Sequence, residues 1–490
     1  MRDFDPAAVA FARGHFIGGE VVDHASERIE VSRPSDGQPY ADLPIASAEI
    51  VDRAVVGAAE AVKRSGWATQ PPRARAKAIR RWADLIEERG EELGRLEALG
   101  STRPIAQAVT GDVAGTAEGI RFFAEYADKL GGEVAATRSD HFGMIVSEPY
   151  GVVGAITPWN FPLSMASWKI GPALAAGNAI VLKPSELTPF STVRLAELAI
   201  EAGIPAGIIN IVQGSGAITG DALSRHPGIG KLSFTGSTRT GIAIMTAAAQ
   251  SGIRPVTLEL GGKSPQLVFA DADLDKAADC IAGSLLANAG QACVAGSRLI
   301  VQRPVHDALV EALTRRLVRT APGPTWQSST SFAPIISELQ ARRIDGIVAR
   351  STQQGAEILL GGGRIEGLGG AFYQPTLIGG VTSDNAAVRE EIFGPVLTIQ
   401  SFETEEEGFA LADHPEYGLA AGVYTADLGR ALRAVRRIKA GTVWINRYSR
   451  TLDFILPTGG YKSSGIGKDL GRQAVEANLR HKTVLIDIGA

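Results

Sequence analysis

The sequence has little cysteine and no long hydrophobic run. Only two cysteines, Cys280 and Cys293, occur in 490 residues, too few for a disulfide framework but consistent with a reducing compartment such as the cytoplasm. The most apolar segments, such as GVVGAITPW and GIINIVQG, are far shorter than the roughly 20 residues of a membrane helix. The first thirty residues also lack the apolar core of a signal peptide. The sequence therefore predicts neither export nor membrane insertion.

Concentrated charge of one sign is also lacking. The formal net charge is -4, and basic and acidic residues are mixed throughout the chain. Because nucleic-acid binding needs a concentrated basic face, this pattern argues against a nucleic-acid partner. The seven histidines lack the spacing of metal ligands, which argues against a zinc site. We therefore expect no metal and no nucleic acid.

Glycine, by contrast, is abundant. With 57 glycines and 45% hydrophobic residues, the chain is typical of a globular protein with tight turns between short elements. Its length of 490 residues predicts two or three domains. Charged residues recur at helical spacing from about Pro71 to Leu130, so this segment is predicted to be helical.

Strand-like and helix-like segments alternate from Gly151 onward. Four short β-branched runs predict parallel strands buried on both faces: GVVGAIT, NAIVLKP, GIINIVQG and KLSFTGS. Helical stretches lie between them, which predicts βαβ crossovers and a doubly wound, Rossmann-like sheet. The alternation restarts after Pro255, where we expect a second α/β unit to begin.

The last apolar segment, KTVLIDI, has the pattern of a strand that needs a sheet to join. It could pair within the subunit, or it could add to the sheet of a neighbouring subunit. The second arrangement would make this segment an oligomer contact, and the sequence leaves both open.

Two glycine clusters are candidates for a dinucleotide site. Gly214, Gly216 and Gly220 have a spacing one residue too long for the G-x-G-x-x-G pattern. The stretch FTGSTRTG follows a predicted strand and opens a helix, so Ser237 and the backbone N–H groups near Gly236 could bind a pyrophosphate. In isolation, a plain strand-to-helix turn is the better interpretation of this stretch.

The two cysteines differ in their surroundings. Cys293 lies among small residues in NAGQACVAGSR, where the backbone can approach a substrate closely. Cys280 occupies an apolar position of a predicted helix and is interpreted as a core residue. For Cys293 a structural role and a nucleophilic role both remain open. A cysteine–histidine protease has no further support in the chain.

Several polar residues stand at positions suited to catalysis or binding. Glu259 ends an apolar strand pattern, where a carboxylate is either paired or held as a general base with a raised pKa. Asn160 in ITPWNFP could aim an N–H at an oxyanion or simply shape a turn. In LKPSE, Lys183 and Glu186 could bind a phosphate and a ribose, or belong to a solvated turn.

Eight motifs follow one another along the chain: ITPWNFP, LKPSE, FTGS, LELGGKSP, GQAC, EEIFGPV, YGLAAGVYT and GTVWIN. Together they closely resemble the aldehyde dehydrogenase superfamily, from FIGGE near residue 17 to KTVLIDI. The resemblance implies that Cys293 attacks the aldehyde and that Asn160 and the Cys293 backbone N–H hold the oxyanion. After hydride transfer, Glu259 would activate the water that hydrolyses the thioester. Lys169 resembles the family's proton-relay lysine.

The resemblance also implies an NAD site. Lys183 and Glu186 resemble the adenosine-ribose contacts, and Ser237 resembles the pyrophosphate contact. Glu391 and Phe393 resemble the nicotinamide-ribose clamp. The other residues expected in the groove are Ile156, Trp159, Gly216, Gly236 and Leu260. Because a carboxylate at the ribose repels a 2′-phosphate, Glu186 favours NAD over NADP.

The chain departs from the family pattern at the substrate mouth and in the relay. Thr458 in PTGG replaces a frequent aromatic wall, and Asp469 in GKDLG replaces a relay glutamate. In residues 447 to 456, Ser449, Arg450 and Thr451 replace apolar or acidic residues. Arg450 could hold a substrate carboxylate or be a solvated surface charge. The presence of Glu259 argues against the CoA-acylating branch of the family.

The resemblance implies an α/β subunit with three parts. We expect an NAD-binding domain of residues 1–126 and 150–261, a catalytic domain of residues 262–465, and a β oligomerisation arm of residues 127–149 and 466–490. A homodimer or homotetramer is expected. The principal hypothesis is NAD-dependent oxidation of an aldehyde to the acid. The alternatives are a semialdehyde dehydrogenase for a substrate such as succinate semialdehyde, and a binding or structural protein without turnover.

Overall fold

The N-terminal part of the computed structural model, which describes residues 2–489, combines four short strands with a group of helices. In chain order these are β1 (His15–Ile17), β2 (Glu20–Val22), β3 (Arg28–Ser32), β4 (Pro39–Pro44), α1 (Ala48–Ser65), α2 (Pro72–Glu88), α3 (Gly90–Gly100), α4 (Ile105–Gln107) and α5 (Ala114–Tyr126). A π-helical turn, Ala108–Val113, joins α4 to α5. The helical region predicted from the charge spacing is confirmed.

The middle of the chain alternates strands and helices. Its elements are β5 (Glu133–Ala135), β6 (His141–Pro149), β7 (Val152–Ile156), α6 (Pro162–Ala175), β8 (Ala179–Lys183), α7 (Phe190–Glu201), β9 (Ile209–Ile211), α8 (Asp221–Arg225), β10 (Lys231–Thr235), α9 (Thr238–Gln250) and β11 (Val256–Glu259). The four strands predicted from β-branched runs are β7 to β10, and all their residues are buried.

The C-terminal half repeats the alternation. Its elements are β12 (Pro265–Val268), α10 (Leu274–Leu286), β13 (Arg298–Gln302), α11 (His306–Leu317), α12 (Glu338–Gln353), β14 (Glu357–Leu360), β15 (Thr376–Gly379), α13 (Ala386–Arg389), β16 (Val396–Phe402), α14 (Glu405–Ala412), β17 (Tyr417–Gly418), β18 (Ala420–Tyr424), α15 (Leu428–Arg437), β19 (Thr442–Ile445), β20 (Tyr461–Lys462), β21 (Gly465–Ile466), α16 (Gly471–Glu476) and β22 (Leu479–Asp487).

The first sheet has eight strands in the order β2-β1-β9-β8-β7-β10-β11-β21. Strands β7 to β11 run parallel, as βαβ crossovers require. One expectation is wrong: the segment after Pro255 does not open the second unit. Strand β11 pairs in parallel with β10 and belongs to the first sheet. Its apolar pattern is that of any buried strand, so only the pairing reveals which sheet it joins.

The second sheet has seven strands in the order β14-β15-β16-β13-β12-β18-β19, all parallel except β14. Successive side chains of its strands point to opposite faces. Leu267 and Ile300 join the hydrophobic cluster on one face, whereas Val268 and Leu299 join the cluster on the other. The sheet is therefore covered on both sides, as expected for parallel strands.

Helix α2 illustrates how local sequence determines the packing. Pro72 occupies the first turn, where a missing N–H is tolerated. Ile79, Trp82 and Ile86 recur every three or four residues and are fully buried. The indole N–H of Trp82 donates to the Leu195 carbonyl on α7 at 2.9 Å. The apolar face of α2 thus packs among the helices that cover the first sheet.

The C-terminal strand β22 pairs antiparallel with β6, from Leu479 opposite Pro149 to Asp487 opposite His141. Strand β5 completes this three-stranded sheet. Of the two arrangements left open by the sequence, the structure shows pairing within the subunit. Across residues 2–489, no helix has the length and apolarity to cross a bilayer.

Candidate active site

A cavity of about 750 Å³ lies where the carboxyl ends of the first sheet meet the second α/β unit. Loops after β7, β10 and β11 form one side, and α10 with the segment that follows it forms another. Ten sequence-predicted residues line the cavity: Trp159, Asn160, Gly236, Ser237, Leu260, Cys293, Glu391, Phe393, Arg450 and Thr451. Ligands of doubly wound proteins bind at this end of the strands.

Cys293 lies at the cavity wall, just after a strained turn. Asn288 and Ala289 both have φ of 50°, and Gly290 has φ of 71°. The left-handed region is costly for Asn and Ala, so the surroundings must enforce it. Burial raises the pKa of the Cys293 thiol to about 11, although the Arg450 charge opposes this rise. At neutral pH the residue is therefore a thiol that needs a base to become a nucleophile.

Buried amides hold the strained turn in place. The Thr102 hydroxyl donates to Asn288 Oδ1 at 2.6 Å, and Asn288 Nδ2 donates to the Asn160 carbonyl at 3.0 Å. Asn160 Nδ2 donates to the Gln291 carbonyl at 3.0 Å. An amide nitrogen carries two hydrogens, so one N–H of Asn160 is left for a ligand in the cavity. The turn, Asn160 and Gln291 thus form one hydrogen-bonded unit, and Gln291 lies two residues before Cys293.

Glu259 ends β11 close to Cys293 but is not part of the cavity lining. It is 6% exposed, and its Oε1 has no hydrogen-bond partner among residues 2–489. Burial raises the pKa of Glu259 well above its usual range; the charge of Asp469 adds to the rise, and that of Lys169 opposes it. Its charge in turn helps raise the pKa of Cys293, so the two side chains interact. A buried carboxyl with these properties suits a general base.

Lys169 and Asp469 form a buried ion pair. Lys169, on α6, donates to Asp469 Oδ2 at 2.5 Å, and the two side chains are 1% and 5% exposed. The Asp469 backbone is fixed by two hydrogen bonds with Thr458, of 2.7 and 2.9 Å. The shorter carboxylate noted in the sequence therefore still reaches Lys169.

The turn between β10 and α9 presents a helix N-terminus to the cavity. Ser237 caps α9 by accepting from the Thr240 N–H at 3.3 Å. The Gly236 N–H donates to the Glu259 carbonyl at 3.0 Å. A side chain at Gly236 would fall 2.4 Å from the Phe234 ring, so only glycine fits there. Free N–H groups at such an end bind phosphate well.

A second group of predicted cofactor contacts lies outside the cavity lining, at the ends of β7 and β8. Ile156 pairs with Lys183 in the sheet. Lys183 Nζ donates to Glu186 Oε2 at 2.9 Å, and burial lowers the pKa of this lysine while Glu186 opposes the effect. Gly216 begins a π-helical turn that packs over Ile156 and Lys183 through Gly220. The four predicted residues therefore lie together.

Glu391 and Phe393 approach the first sheet from the second α/β unit. Glu391 Oε1 accepts from the Gly262 N–H at 3.0 Å, and burial raises the pKa of this carboxyl. A Cβ at Gly261 would fall 2.3 Å from Glu391 Oε2, so the glycine makes room for the carboxylate. The Phe393 ring packs edge-on against Trp159, with centroids 5.2 Å apart. These contacts bring the two units together across the cavity.

Arg450 is held at the cavity by two neutral side chains. Its guanidinium lies 5.4 Å from the Trp168 ring and donates to the Thr458 hydroxyl. Thr458 is 2% exposed and is not part of the cavity lining. Its hydroxyl instead accepts the hydrogen bond that orients Arg450. Thr451 is exposed and donates to Asp453 at 2.8 Å. Arg450 makes no ion pair with any residue from 2 to 489.

Comparison with known proteins decides the family. The sequence model described as "Aldehyde dehydrogenase family" matches residues 21–484. An aldehyde dehydrogenase of Alternaria alternata is 42% identical over 477 residues, which cover 97% of this chain and 95% of that protein. The chain belongs to the aldehyde dehydrogenase family.

Solved structures of aldehyde dehydrogenases share the whole fold. One is the P. syringae indole-3-acetaldehyde dehydrogenase, a cysteine-to-alanine variant in complex with NAD+ and IAA. It is 39% identical, has a TM-score of 0.96, and the match covers 98% of both chains. The aldehyde dehydrogenase KauB from Pseudomonas aeruginosa is 39% identical with a TM-score of 0.95, and the match covers 98% of this chain and 97% of that one. The α/β architecture predicted from the sequence is confirmed.

Some residues of this aldehyde dehydrogenase site gave no clear signal in the sequence. Arg103 donates to Asp112 at 2.6 Å in a buried pair that lines the cavity, and it stacks on Phe161 at 4.8 Å. Both residues lie in the helical region, where charged positions are common. Gln291, whose carbonyl accepts from Asn160, lies inside the GQAC motif. That motif is the only feature of the sequence that points to any of these residues. Within the described part of the chain, no cluster of His, Cys, Asp and Glu is arranged to hold a metal ion.

Proposed function

We propose that this chain oxidises an aldehyde to the carboxylic acid, with NAD as hydride acceptor, through a thioester on Cys293. The observation that carries the proposal is the position of Cys293 at the wall of the cavity, within the electrostatic influence of the buried Glu259. A carboxyl with a raised pKa near the cysteine is suited to take the proton of the water that hydrolyses a thioester on that cysteine.

The polar groups around the cavity fit NAD. The N-terminus of α9 with Ser237 offers N–H donors for a pyrophosphate. Glu186, paired with Lys183, offers acceptors for a ribose diol, and Glu391 offers them for the second ribose. Because Glu186 repels a 2′-phosphate, NADP is expected to bind more weakly than NAD. When bound, NAD takes up the hydride that leaves the aldehyde carbon.

The side chains of the chain account for the remaining steps. The Cys293 thiol loses its proton to solvent water in the cavity, and the thiolate Sγ then attacks the carbonyl carbon. The oxyanion accepts hydrogen bonds from the free N–H of Asn160 and from the Cys293 backbone N–H. After oxidation, Glu259 takes a proton from water, and the water oxygen attacks the thioester. The C–S bond then breaks, which releases the acid and restores the cysteine.

A second candidate substrate class is an aldehyde that carries a carboxylate, such as succinate semialdehyde. Arg450 supports it because this cation lines the cavity and its hydrogen bond is to the Thr458 hydroxyl, not to a carboxylate, within residues 2–489. A guanidinium pairs with a carboxylate through two parallel hydrogen bonds. Comparing uncharged and carboxylate-bearing aldehydes of equal length decides between the two classes.

We further propose that the chain works as a homodimer or homotetramer in a reducing compartment such as the cytoplasm. Both cysteines are free. The proposed arm, residues 127–149 and 466–490, contains the sheet of β5, β6 and β22, and Val134 and Leu485 on it are 72% and 63% exposed. Residues 1–126 with 150–261 would bind NAD, and residues 262–465 would supply the nucleophile. Light scattering of wild type and Leu485→Glu tests the arm.

The test of the proposed chemistry is to trap the acyl enzyme. We expect Glu259→Gln, mixed with NAD and a panel of aldehydes, to accumulate an acyl adduct that peptide mass spectrometry places on Cys293. Glu259→Gln combined with Cys280→Ala, which removes the other thiol in the cavity lining, is the matched control and should accumulate the same adduct. If no aldehyde yields an adduct or NADH, the proposal is wrong and a binding or structural protein becomes the better hypothesis.

A further inference from the structure

A second, much smaller cavity lies in the C-terminal α/β unit. Its volume is about 10 Å³, which is room for about one water-sized particle. The starts of β12 and β13 form one side of it, and the segments from α14 to β18 and from α15 to β19 form the other. Four buried polar side chains line it, those of Lys263, Ser264, Arg298 and His414, and none of them lines the large cavity. The exposed Lys439 also belongs to the lining, so the small cavity reaches the surface.

Positive charge dominates this small cavity. Lys263 and Arg298 are both buried. Neither of them forms an ion pair within residues 2–489, and the one carboxylate of the lining, Asp413, pairs instead with Lys462 at 2.5 Å. Buried charges in folded proteins are normally paired, because an uncompensated charge in a low-dielectric interior is costly. The two cations therefore require a negative partner from outside the chain.

Arg298 is held by the backbone, whereas the Lys263 amine is not held. Arg298 Nε donates to the Lys263 carbonyl at 2.9 Å, and its other two nitrogens donate to the Leu411 and Ala412 carbonyls at 2.8 and 2.9 Å. Lys263 Nζ makes no hydrogen bond within residues 2–489. A charged ammonium group has three donors and no acceptor. Lys263 therefore needs an acceptor at the cavity.

His414 adds a second donor of the same kind. Its Nδ1 accepts from the N–H groups of Glu416 and Tyr417, both at 3.1 Å. A ring nitrogen that accepts carries no proton, so the proton of this imidazole is on Nε2. In the described part of the chain, Nε2 makes no hydrogen bond. Two residues of the lining therefore carry buried donors without acceptors.

Water alone does not meet these requirements. A water molecule can accept from both donors, but it brings no negative charge to the two cations. Burial lowers the pKa of Lys263 to about 7, and the charge of Arg298 lowers it further, so the amine is only about half charged at neutral pH. A nearby anion favours the charged form. An anion thus satisfies the donors and the charge together.

We propose that the small cavity binds one monatomic anion of about chloride size, held by Lys263 Nζ and the His414 Nε2–H beside the charge of Arg298. The volume excludes phosphates and carboxylates, which have several heavy atoms. The site lies behind the nucleophile: a Cβ at Gly262, the residue before Lys263, would fall 2.7 Å from the Cys293 carbonyl oxygen. The anion therefore stabilises the loop against which the Cys293 backbone packs and does not contact the substrate.

Replacing gluconate by bromide at constant ionic strength tests the site in solution, because gluconate is too large for the cavity. We expect the melting temperature of the wild type to rise by about 1 to 3 °C and to saturate with bromide concentration, as for one bound ligand. Lys263→Met should lose this rise. In gluconate it should melt no lower than the wild type, because the substitution removes a buried charge that has no partner there.

Lys231→Met is the matched control, because Lys231 is a buried lysine on β10 of the first sheet and does not line the small cavity. This variant should keep the rise with bromide. Wild-type crystals grown in bromide give a second measurement that does not depend on the folding of a variant. Anomalous scattering should show one bromide in contact with Lys263 Nζ.

Three results would overturn the proposal. In the first, water and not bromide occupies the position beside Lys263 in those crystals. In the second, Lys263→Met keeps the full rise of the melting temperature, so that bromide acts elsewhere. In the third, bromide is present in the crystal but causes no saturating rise in solution, which would mean binding at crystal concentration only.

Discussion

The catalytic residues, here called the floor, are Asn160 and Cys293 in the cavity lining and the buried Glu259 near them, and they are held differently from the mouth, residues 447–456. Glu259 is buried and Asn160 is 4% exposed, and hydrogen bonds tie the floor to segments far away in the sequence. In the mouth, Leu452 and Ile455 are 59% and 60% exposed. Chemistry needs reacting groups held within a fraction of an ångström, whereas loops can change to select among substrates. The floor should therefore control rate and the mouth should control selectivity.

The largest effect is expected at the centre of the floor. Cys293→Ala removes the nucleophile, so NADH formation should fall by about 10⁴-fold or more with every aldehyde. The sequence predicts a core position for Cys280, but this residue is only half-buried and lines the cavity on α10. Cys280→Ala is therefore the control for loss of the other cavity thiol and should stay within about twofold of wild type. Initial rates of NADH absorbance measure both. Substantial turnover by Cys293→Ala would show that the floor is not where the reaction occurs.

A smaller loss is expected for the base. Glu259→Gln should lower kcat by about 10² to 10⁴-fold but leave the first turnover, seen as one NADH per active site. Since the base works deprotonated and burial raises the pKa of Glu259, wild-type kcat should decline as pH falls, beginning above the usual carboxyl range. This decline should be absent in the variant. If kcat of the variant still declined as pH falls, a group other than Glu259 would be responsible for the decline.

The mouth is expected to change selectivity and not chemistry. Arg450→Met should raise KM for carboxylate-bearing aldehydes by about 10 to 100-fold, because a desolvated charge pair is lost. For uncharged aldehydes of equal length, kcat/KM should stay within about threefold. Arg447→Met, an exposed arginine in the same segment, is the control. Equal losses with both substrate classes would mean that Arg450 supports the catalytic residues and does not bind a substrate carboxylate.

The smallest effect on turnover is expected at Glu97, which lies outside the cavity lining and contacts the start of α6. This residue is 1% exposed and accepts from the Leu163 N–H at 3.1 Å, at the start of α6. Burial raises the pKa of Glu97 to about 8, and the charge of Asp112 adds to the rise. The folded state therefore binds a proton that the unfolded state releases, so this stabilisation is full in acid and is lost as pH rises through about 8.

Glu97→Gln removes that titration. Wild type should lose roughly 2 to 4 kcal/mol of unfolding free energy between about pH 4.5 and about pH 8, while the variant should lose much less. Denaturant unfolding at several pH values measures the difference, and kcat should change less than about twofold. An equally steep pH dependence in the variant would assign the effect to another buried group.

The sequence predicts the strands of the Rossmann-like unit well because buried β-branched runs have a strong local signature. It also singles out Cys293, Glu259 and Asn160, because each stands in a distinctive local motif. Local pattern cannot show partners that folding brings together. The bond from Thr102 to Asn288 is of this kind. The local pattern alone also puts β11 in the wrong unit, whereas the family resemblance ends the first unit at residue 261. The local sequence around Thr458 likewise does not indicate that its hydroxyl accepts a hydrogen bond from Arg450.

The pairing of β22 with β6 has a consequence for biosynthesis. The partner of Pro149 is Leu479, about 330 residues later in the chain. At a translation rate of about 5 to 20 residues per second, β6 waits roughly 15 to 70 s for its partner to leave the ribosome. During that time one edge of β6 is open to other nascent chains. Slower translation or loss of chaperones should therefore reduce the yield of folded protein before it affects the finished enzyme.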